Sequence, residues 1–197
     1  MKALIIVDVQ YDFLPNGRLP VPEGDQVIAP INRIQGNYDV VVATQDWHPP
    51  DHQSFVSQHP ESNLYDKITV QGLEQVIWPD HCVQGSVGAG IAADLDTYLV
   101  AAIFRKGMDR EIDSYSGFFD NGYRKDTGLA GYLQAKGVDE VHVCGVAADY
   151  CVFFTAMDSL RKGFKTAIVL EATRAIDPHL FATKLDLFRA EGGTVCG

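Results

Sequence analysis

Two cysteines stand seven positions apart in the stretch VHVCGVAADYCVFF, residues 141–154, and their settings differ. Cys144 sits with Val141 and Val143 in a β-branched run, the pattern of a strand side chain packed into a core. Cys151 follows the small-residue turn GVAAD and opens an apolar, helix-like run. The thiolate is the nucleophilic form of cysteine, and a helix amino terminus or a nearby cation lowers a thiol pKa from about 8.5. A buried cysteine packed in a helix is the ordinary reading of a lone cysteine. The company Cys151 keeps reverses it: Cys151 is read as a nucleophile and Cys144 as packing.

That company consists of an acid, a cation and a metal-ligand set. Asp8 ends the apolar run KALIIVD, and Lys106 ends YLVAAIFRK. Beside a thiol, an Asp can remove the proton and later supply one to a departing amine. A lysine between them would stabilise both anions. No histidine is an obvious partner for Cys151, which disfavours a Cys–His pair. In TQDWHPPDH, Asp46 and His48 are two residues apart, so an extended segment turns both to one side. His81, from WPDHCVQGS, supplies a third ligand, completing two histidines and one carboxylate, a set that leaves positions open for water or substrate. A D-x-H triplet alone is weak evidence. His52 is a further group near this set, while His59, His142 and His179 read as structural or surface residues.

These side chains share an address, the end of an apolar run. Runs at 2–8, 38–45, 98–106, 140–146 and 164–171 read as strands, with GTVC near the end as a short edge strand. Helical patterns occupy 25–35, 127–136, 150–162 and 178–191. Gly137 and Gly163 act as stops, and Asp177-Pro178 as an N-cap with proline at N1. Such alternation predicts one Rossmann-like α/β/α domain over 1–197, with a mostly parallel sheet of roughly six strands. Ligands of open parallel sheets bind outside the carboxyl ends of the strands, which is where Asp8, Asp46, Lys106 and Cys151 fall. Residues 46–97, rich in Pro, His, Asp and Gly, break the rhythm and are expected to form a long functional loop region.

The chain has 197 residues and a formal charge of −10, with no basic face for nucleic acid or an anionic membrane. The apolar run at the amino terminus is interrupted by Asp8 and Asp12, too early for a secretory signal. Four cysteines without a C-x-x-C pair fit free thiols in a reducing, cytoplasmic setting.

The segments LIIVDVQYDFLPNG, VVATQDWHPPDHQSF, WPDHCVQGSVGA, FRKGMDREIDSYSGFFDN, GVAADYCVFFTAMDSLRKG and ATRAID carry a resemblance over nearly the whole chain. The sequence resembles nicotinamidases (pyrazinamidases) of the isochorismatase-like cysteine hydrolases. The resemblance implies a catalytic Asp8–Lys106–Cys151 triad and one divalent metal ion held by Asp46, His48 and His81, zinc first, with iron or manganese as alternatives. It implies pocket walls from Phe13, Trp78 and Tyr115, and an oxyanion hole from the backbone N–H groups of Ala147 and Cys151 beside a cis Val146–Ala147 peptide. Ala148 stands where many relatives carry threonine, which removes a hydroxyl but leaves the backbone role. The implied activity is deamidation of nicotinamide to nicotinate and ammonia through a cysteine thioester, in NAD salvage, with pyrazinamide as a further substrate. The implied partner is this small molecule, with homo-oligomerisation left open. The competing readings are a cysteine hydrolase of another small amide, disfavoured by the D-x-H and WPDHC segments, a vinyl-ether hydrolase of the isochorismatase kind, disfavoured because it would not need the cysteine, and a non-catalytic binding module, disfavoured because no triad or metal residue is missing.

Overall fold

The computed structural model describes residues 1–197. Strands β1 (Lys2–Val7), β2 (Val40–Asp46), β5 (Val100–Lys106), β6 (Glu140–Gly145), β7 (Lys165–Thr173) and β8 (Thr194–Cys196) form one six-stranded sheet in the order β5-β2-β1-β6-β7-β8. Every neighbouring pair in it is parallel. From β1 the chain adds β2 and β5 on one side, and from β6 it adds β7 and β8 on the other, so the switch point lies between β1 and β6, at the carboxyl end of β1, where Asp8 follows.

Side-chain alternation along β1 explains why its buried residues, Ala3 to Val7, are all apolar. Leu4 and Ile6 enter one core, with Val41, Ala43 and Cys144. Ala3, Ile5 and Val7 enter the other, with Val40, Val42, Val141 and Val143. A strand covered on both faces needs apolar residues at every position. Helix α1 (Ile28–Ile34) covers the first face through Ile28 and Ile31. Helices α2 (Leu129–Ala135), α3 (Phe153–Arg161) and α4 (Pro178–Ala190) cover the second, through Leu129, Leu133, Phe153, Ala156, Leu185 and Phe188. Asp177 caps α4 as expected, its side chain accepting from His179 N and Leu180 N. No helix is long and apolar enough to cross a membrane.

The sequence reading needs three amendments. The helix expected at 25–35 splits into a 3-10 turn at Gly24–Val27 and α1. Pro30 lies within the first turn of α1, where its missing N–H costs little. The long segment 46–97 carries an antiparallel hairpin, β3 (Lys67–Val70) with β4 (Leu73–Val76), joined by Gln71 and Gly72 at positive φ. The helix expected from 150 begins instead as a π-helical turn over Ala148–Val152. At the switch point Gly145 has φ +109, and a Cβ there would lie 2.1 Å from Val7 O, so only glycine lets β6 approach β1 this closely.

Candidate active site

Asp8 is the first residue past β1 and adopts φ 50, a left-handed conformation that Asp tolerates better than most residues. Asp46 and Lys106 close β2 and β5 and are register partners across the parallel pair. Gln10 fixes the end of β2: its amide donates to Asp46 O at 2.8 Å and accepts from Asp46 N at 2.8 Å. These strand ends bring Lys106 Nζ to 2.9 Å from Asp8 Oδ2, 2.6 Å from Asp46 Oδ1 and 3.4 Å from Cys151 Sγ. Nζ also donates to Ser114 O at 2.9 Å. Thr44 Oγ1 donates to Asp8 Oδ1 at 2.7 Å. All of these groups are buried.

Burial decides the charge pattern. It pushes the Cys151 thiol well above its ordinary range, with Lys106 opposing. It also raises the Asp8 carboxyl, again against Lys106. Burial alone would strip the proton from Lys106, but Asp46 and Asp8 outweigh it and raise its pKa well above the usual value. Burial would likewise raise Asp46, yet Lys106 and His48 hold it below the usual carboxylate range. The resting cysteine is therefore a thiol, and a base must take its proton at the moment of attack. Asp8, with a carboxylate oxygen within 4.8 Å of Cys151 Sγ, is placed where it could take that proton.

Cys151 sits in the π-helical turn, which its neighbours fix from two sides. Asp149 accepts from Ile176 N and Asp177 N, both at 2.9 Å, and Lys184 Nζ donates to Asp149 O at 2.6 Å. The Val146–Ala147 peptide is cis. Ala147 N–H donates to no group of the chain, so it is free to meet a ligand oxygen.

Asp46, His48 and His81 can each offer one ligand atom, all within 4.8 Å of one another. His48 N donates to Cys82 O at 3.0 Å, joining the D-x-H segment to the loop that bears His81. Asp12 Oδ2 accepts from Cys82 N at 2.7 Å and holds that loop from the other side. His48 Nδ1 lies 2.8 Å from Gly107 O, and His81 Nδ1 2.7 Å from Pro79 O. Pairing Nδ1–H with a carbonyl leaves the Nε2 lone pairs pointing inward, the arrangement of metal-ligating histidines. His48 Nε2 is buried without a hydrogen-bond partner. These residues fit a divalent ion. His52 adds a second group with His48 and Asp113; its Nδ1 is tied to Ser54 Oγ at 2.7 Å and its Nε2 is unpartnered.

The thiol and this ligand set open on one mostly apolar cleft, lined by Phe13, Trp78, His81, Tyr115, Ala147 and Cys151 among others. Phe13 meets His81 edge-on with ring centroids 5.5 Å apart, and Trp78 Nε1 donates to Tyr115 Oη at 3.2 Å. Every residue expected in the site from the sequence lies at this one rim. Sequence reasoning missed Thr44, Gln10, Asp12 and Tyr150. Tyr150 lines the cleft against Trp78; as the neighbour of Cys151 it was the one of these with a sequence signal.

The model of the isochorismatase domain matches residues 2–197. The nicotinamidase of Acinetobacter baylyi is 45% identical over 89% of this chain and 82% of its own length. A protein of L. infantum, solved in complex with nicotinate, superposes with a TM-score of 0.89 at 39% identity, covering 100% of this chain and 92% of that one. The pyrazinamidase of Pyrococcus horikoshii, solved in complex with zinc, gives a TM-score of 0.82 at 35% identity, covering 99% and 98%. Fold, rim and relatives agree: the chain belongs to the isochorismatase family, among its nicotinamidases.

Proposed function

We propose that this protein hydrolyses nicotinamide to nicotinate and ammonia through a thioester on Cys151, and that it also accepts pyrazinamide. One observation carries the reading. Asp46 joins the two halves of the site, Oδ1 bonded to Lys106 beside the thiol and Oδ2 facing His48 and His81, 3.5 and 3.9 Å away. A substrate reaching both halves needs a reactive carbonyl at one end and a metal-binding atom at the other, as a pyridine carboxamide has. Zinc held by Asp46, His48 and His81, with iron or manganese as alternatives, would supply when bound a Lewis-acid position for the ring nitrogen.

The chain's own residues account for the rest. Phe13, Trp78 and Tyr115 wall the ring and orient the carboxamide toward Cys151. Asp8 takes the thiol proton as sulfur bonds to the carbonyl carbon, while Lys106 stabilises the negative charge that passes between carboxylate and sulfur. The N–H groups of Ala147 and Cys151 hold the oxygen that gains the π electrons. When the carbonyl re-forms, the C–N bond breaks and Asp8 passes its proton to departing ammonia. Water then attacks the thioester and gives a proton to Asp8; the C–S bond breaks, the thiol regains that proton, and nicotinate leaves.

The four free cysteines suit a reducing compartment, and we assign the reaction to the cytoplasm, in NAD salvage. The test is ammonia release from nicotinamide by the wild type and by Cys151→Ala. Release by the first alone supports the reading, and release by both refutes it.

A further inference from the structure

The general base needs one free carboxylate oxygen aimed at the thiol, and the triad alone does not fix which. Asp8 Oδ1 accepts the Thr44 hydroxyl at 2.7 Å. Asp8 Oδ2 is buried, receives no hydrogen bond, and lies 2.9 Å from Lys106 Nζ. Thr44 itself is 1% exposed, in the middle of a covered strand. From this geometry, and resting on the amidohydrolase reading above, we infer that Thr44 is a positioning residue. Its hydroxyl occupies Oδ1 and locks the carboxylate so that Oδ2 carries the proton to and from Cys151.

The reason for a threonine extends to a glycine on another segment. A β-branched side chain on a strand has few χ1 choices, so the hydroxyl is aimed only while the methyl has its place. That place is beside Gly117. A Cβ on Gly117 would lie 2.7 Å from Thr44 Cγ2, whereas its other near neighbours, Leu129 Cδ2 and Thr155 Cγ2, would be at an ordinary 3.5 Å. Gly117 is held there by its N–H, which donates to Thr155 Oγ1 at 2.9 Å. Its φ is not in the left-handed region, so alanine there is opposed by the Thr44 methyl and not by the backbone. The missing side chain at Gly117 therefore seats the hydroxyl that orients Asp8.

Four variants test this by steady-state ammonia release, with kcat and KM resolved and melting temperature as the folding control. Thr44→Val keeps the shape without the donor. It should lower kcat roughly 10- to 100-fold, the scale of a hydrogen bond to a charged group, with KM nearly unchanged. Thr44→Ser keeps the donor and should stay within a few-fold of wild type. Gly117→Ala should lower kcat as Thr44→Val does, and adding Thr44→Ser to it should restore kcat, because serine has no Cγ2 to clash. Wild-type kcat in Thr44→Val, a loss in Thr44→Ser as large as in Thr44→Val, or no rescue in the double variant would each overturn the assignment. If the wild type releases no ammonia from nicotinamide, the substrate reading fails instead. The positioning role is then read from iodoacetamide alkylation of Cys151, which Thr44→Val should slow and Thr44→Ser should not; equal rates would overturn it.

Discussion

Replacing Lys106 with methionine removes one buried charge and keeps most of the side-chain volume. In the native site the ammonium lies 3.4 Å from Cys151 Sγ and 2.9 Å from Asp8 Oδ2. At an effective dielectric of about 20, a full charge pair at the first distance is worth about 5 kcal/mol, an upper value for what a developing thiolate would lose. Each 1.36 kcal/mol is tenfold in rate, so the ceiling is between roughly 10³- and 10⁴-fold. Only part of the charge has developed at the transition state, and neighbouring dipoles relax, so a loss of about 10²- to 10³-fold in kcat is expected. Both proton-carrying groups shift the same way. Without the cation that opposes burial, the Cys151 thiol and the Asp8 carboxyl each hold a proton more tightly, so the thiol resists ionisation and the base is already occupied. Stability should fall as well, because Asp8 and Asp46 lose their shared partner; breaking a buried pair commonly costs about 3–5 kcal/mol. The assays are ammonia release at saturating nicotinamide, Cys151 alkylation against pH, and urea unfolding. If Lys106→Met kept kcat within tenfold of wild type while folded, the ammonium would not be stabilising the reacting thiolate.

Cys151→Ala should abolish turnover with little effect on melting, whereas Cys144→Ala should mainly destabilise, because Cys144 is fully buried in the core with only Ile5 O as a distant partner; activity surviving in the first or lost from a well-folded second would reverse their roles. Nicotinamide should exceed benzamide in kcat/KM by orders of magnitude, since a site built for one polar atom rejects the analogue lacking it. His48→Ala or chelation should lower nicotinamide turnover and narrow that gap, and equal kcat/KM for the two amides in the metal-loaded protein would sever the ring from the ligand set. The metal-free protein should lose stability in acid. Burial and the charge of His48 hold both His52 and His81 at about 4, against 6.5 when unfolded, so unfolding takes up a proton at each between those values. His142, lowered by burial, adds to this uptake, while Asp8 and Asp149, raised by burial, and His48, raised by Asp46 against burial, oppose it. Stability should therefore fall as pH drops from 6.5 to 4, by up to about 1.4 kcal/mol per pH unit for each proton of net uptake. A urea midpoint independent of pH across that range would show that these histidines are not buried as neutral rings.

The residues of the site were legible in the sequence because they sit where local patterns end. Each apolar run is long enough to cross the sheet, and the charged residue that closes it falls at the rim, which located Asp8 and Lys106 without any knowledge of strand order. Period-two geometry paired Asp46 with His48 in the same way. The differing surroundings of Cys144 and Cys151, β-branched run against small-residue turn, separated the thiol buried in the core from the thiol at the cleft. Strand order was not legible, because it depends on contacts between segments far apart in the chain. The order β5-β2-β1-β6-β7-β8 puts Asp8, Asp46 and Lys106 at the ends of adjacent strands, with the Cys151 turn across the switch point. The β3–β4 hairpin escaped detection for a related reason: its half-exposed strands lack a continuous apolar run. The π-helical turn at Cys151 is held by Asp149, Ile176, Asp177 and Lys184, and nothing within residues 148–152 announces it. Thr44 read as one more β-branched strand residue, and its hydroxyl gained a role only when folding set Asp8 on one side and the bare Gly117 on the other. Sequence thus determined which groups reach the rim, since that follows from local periodicity. Tertiary structure decided their distances, charges and aim, since those arise from burial and from partners that only the folded chain brings together.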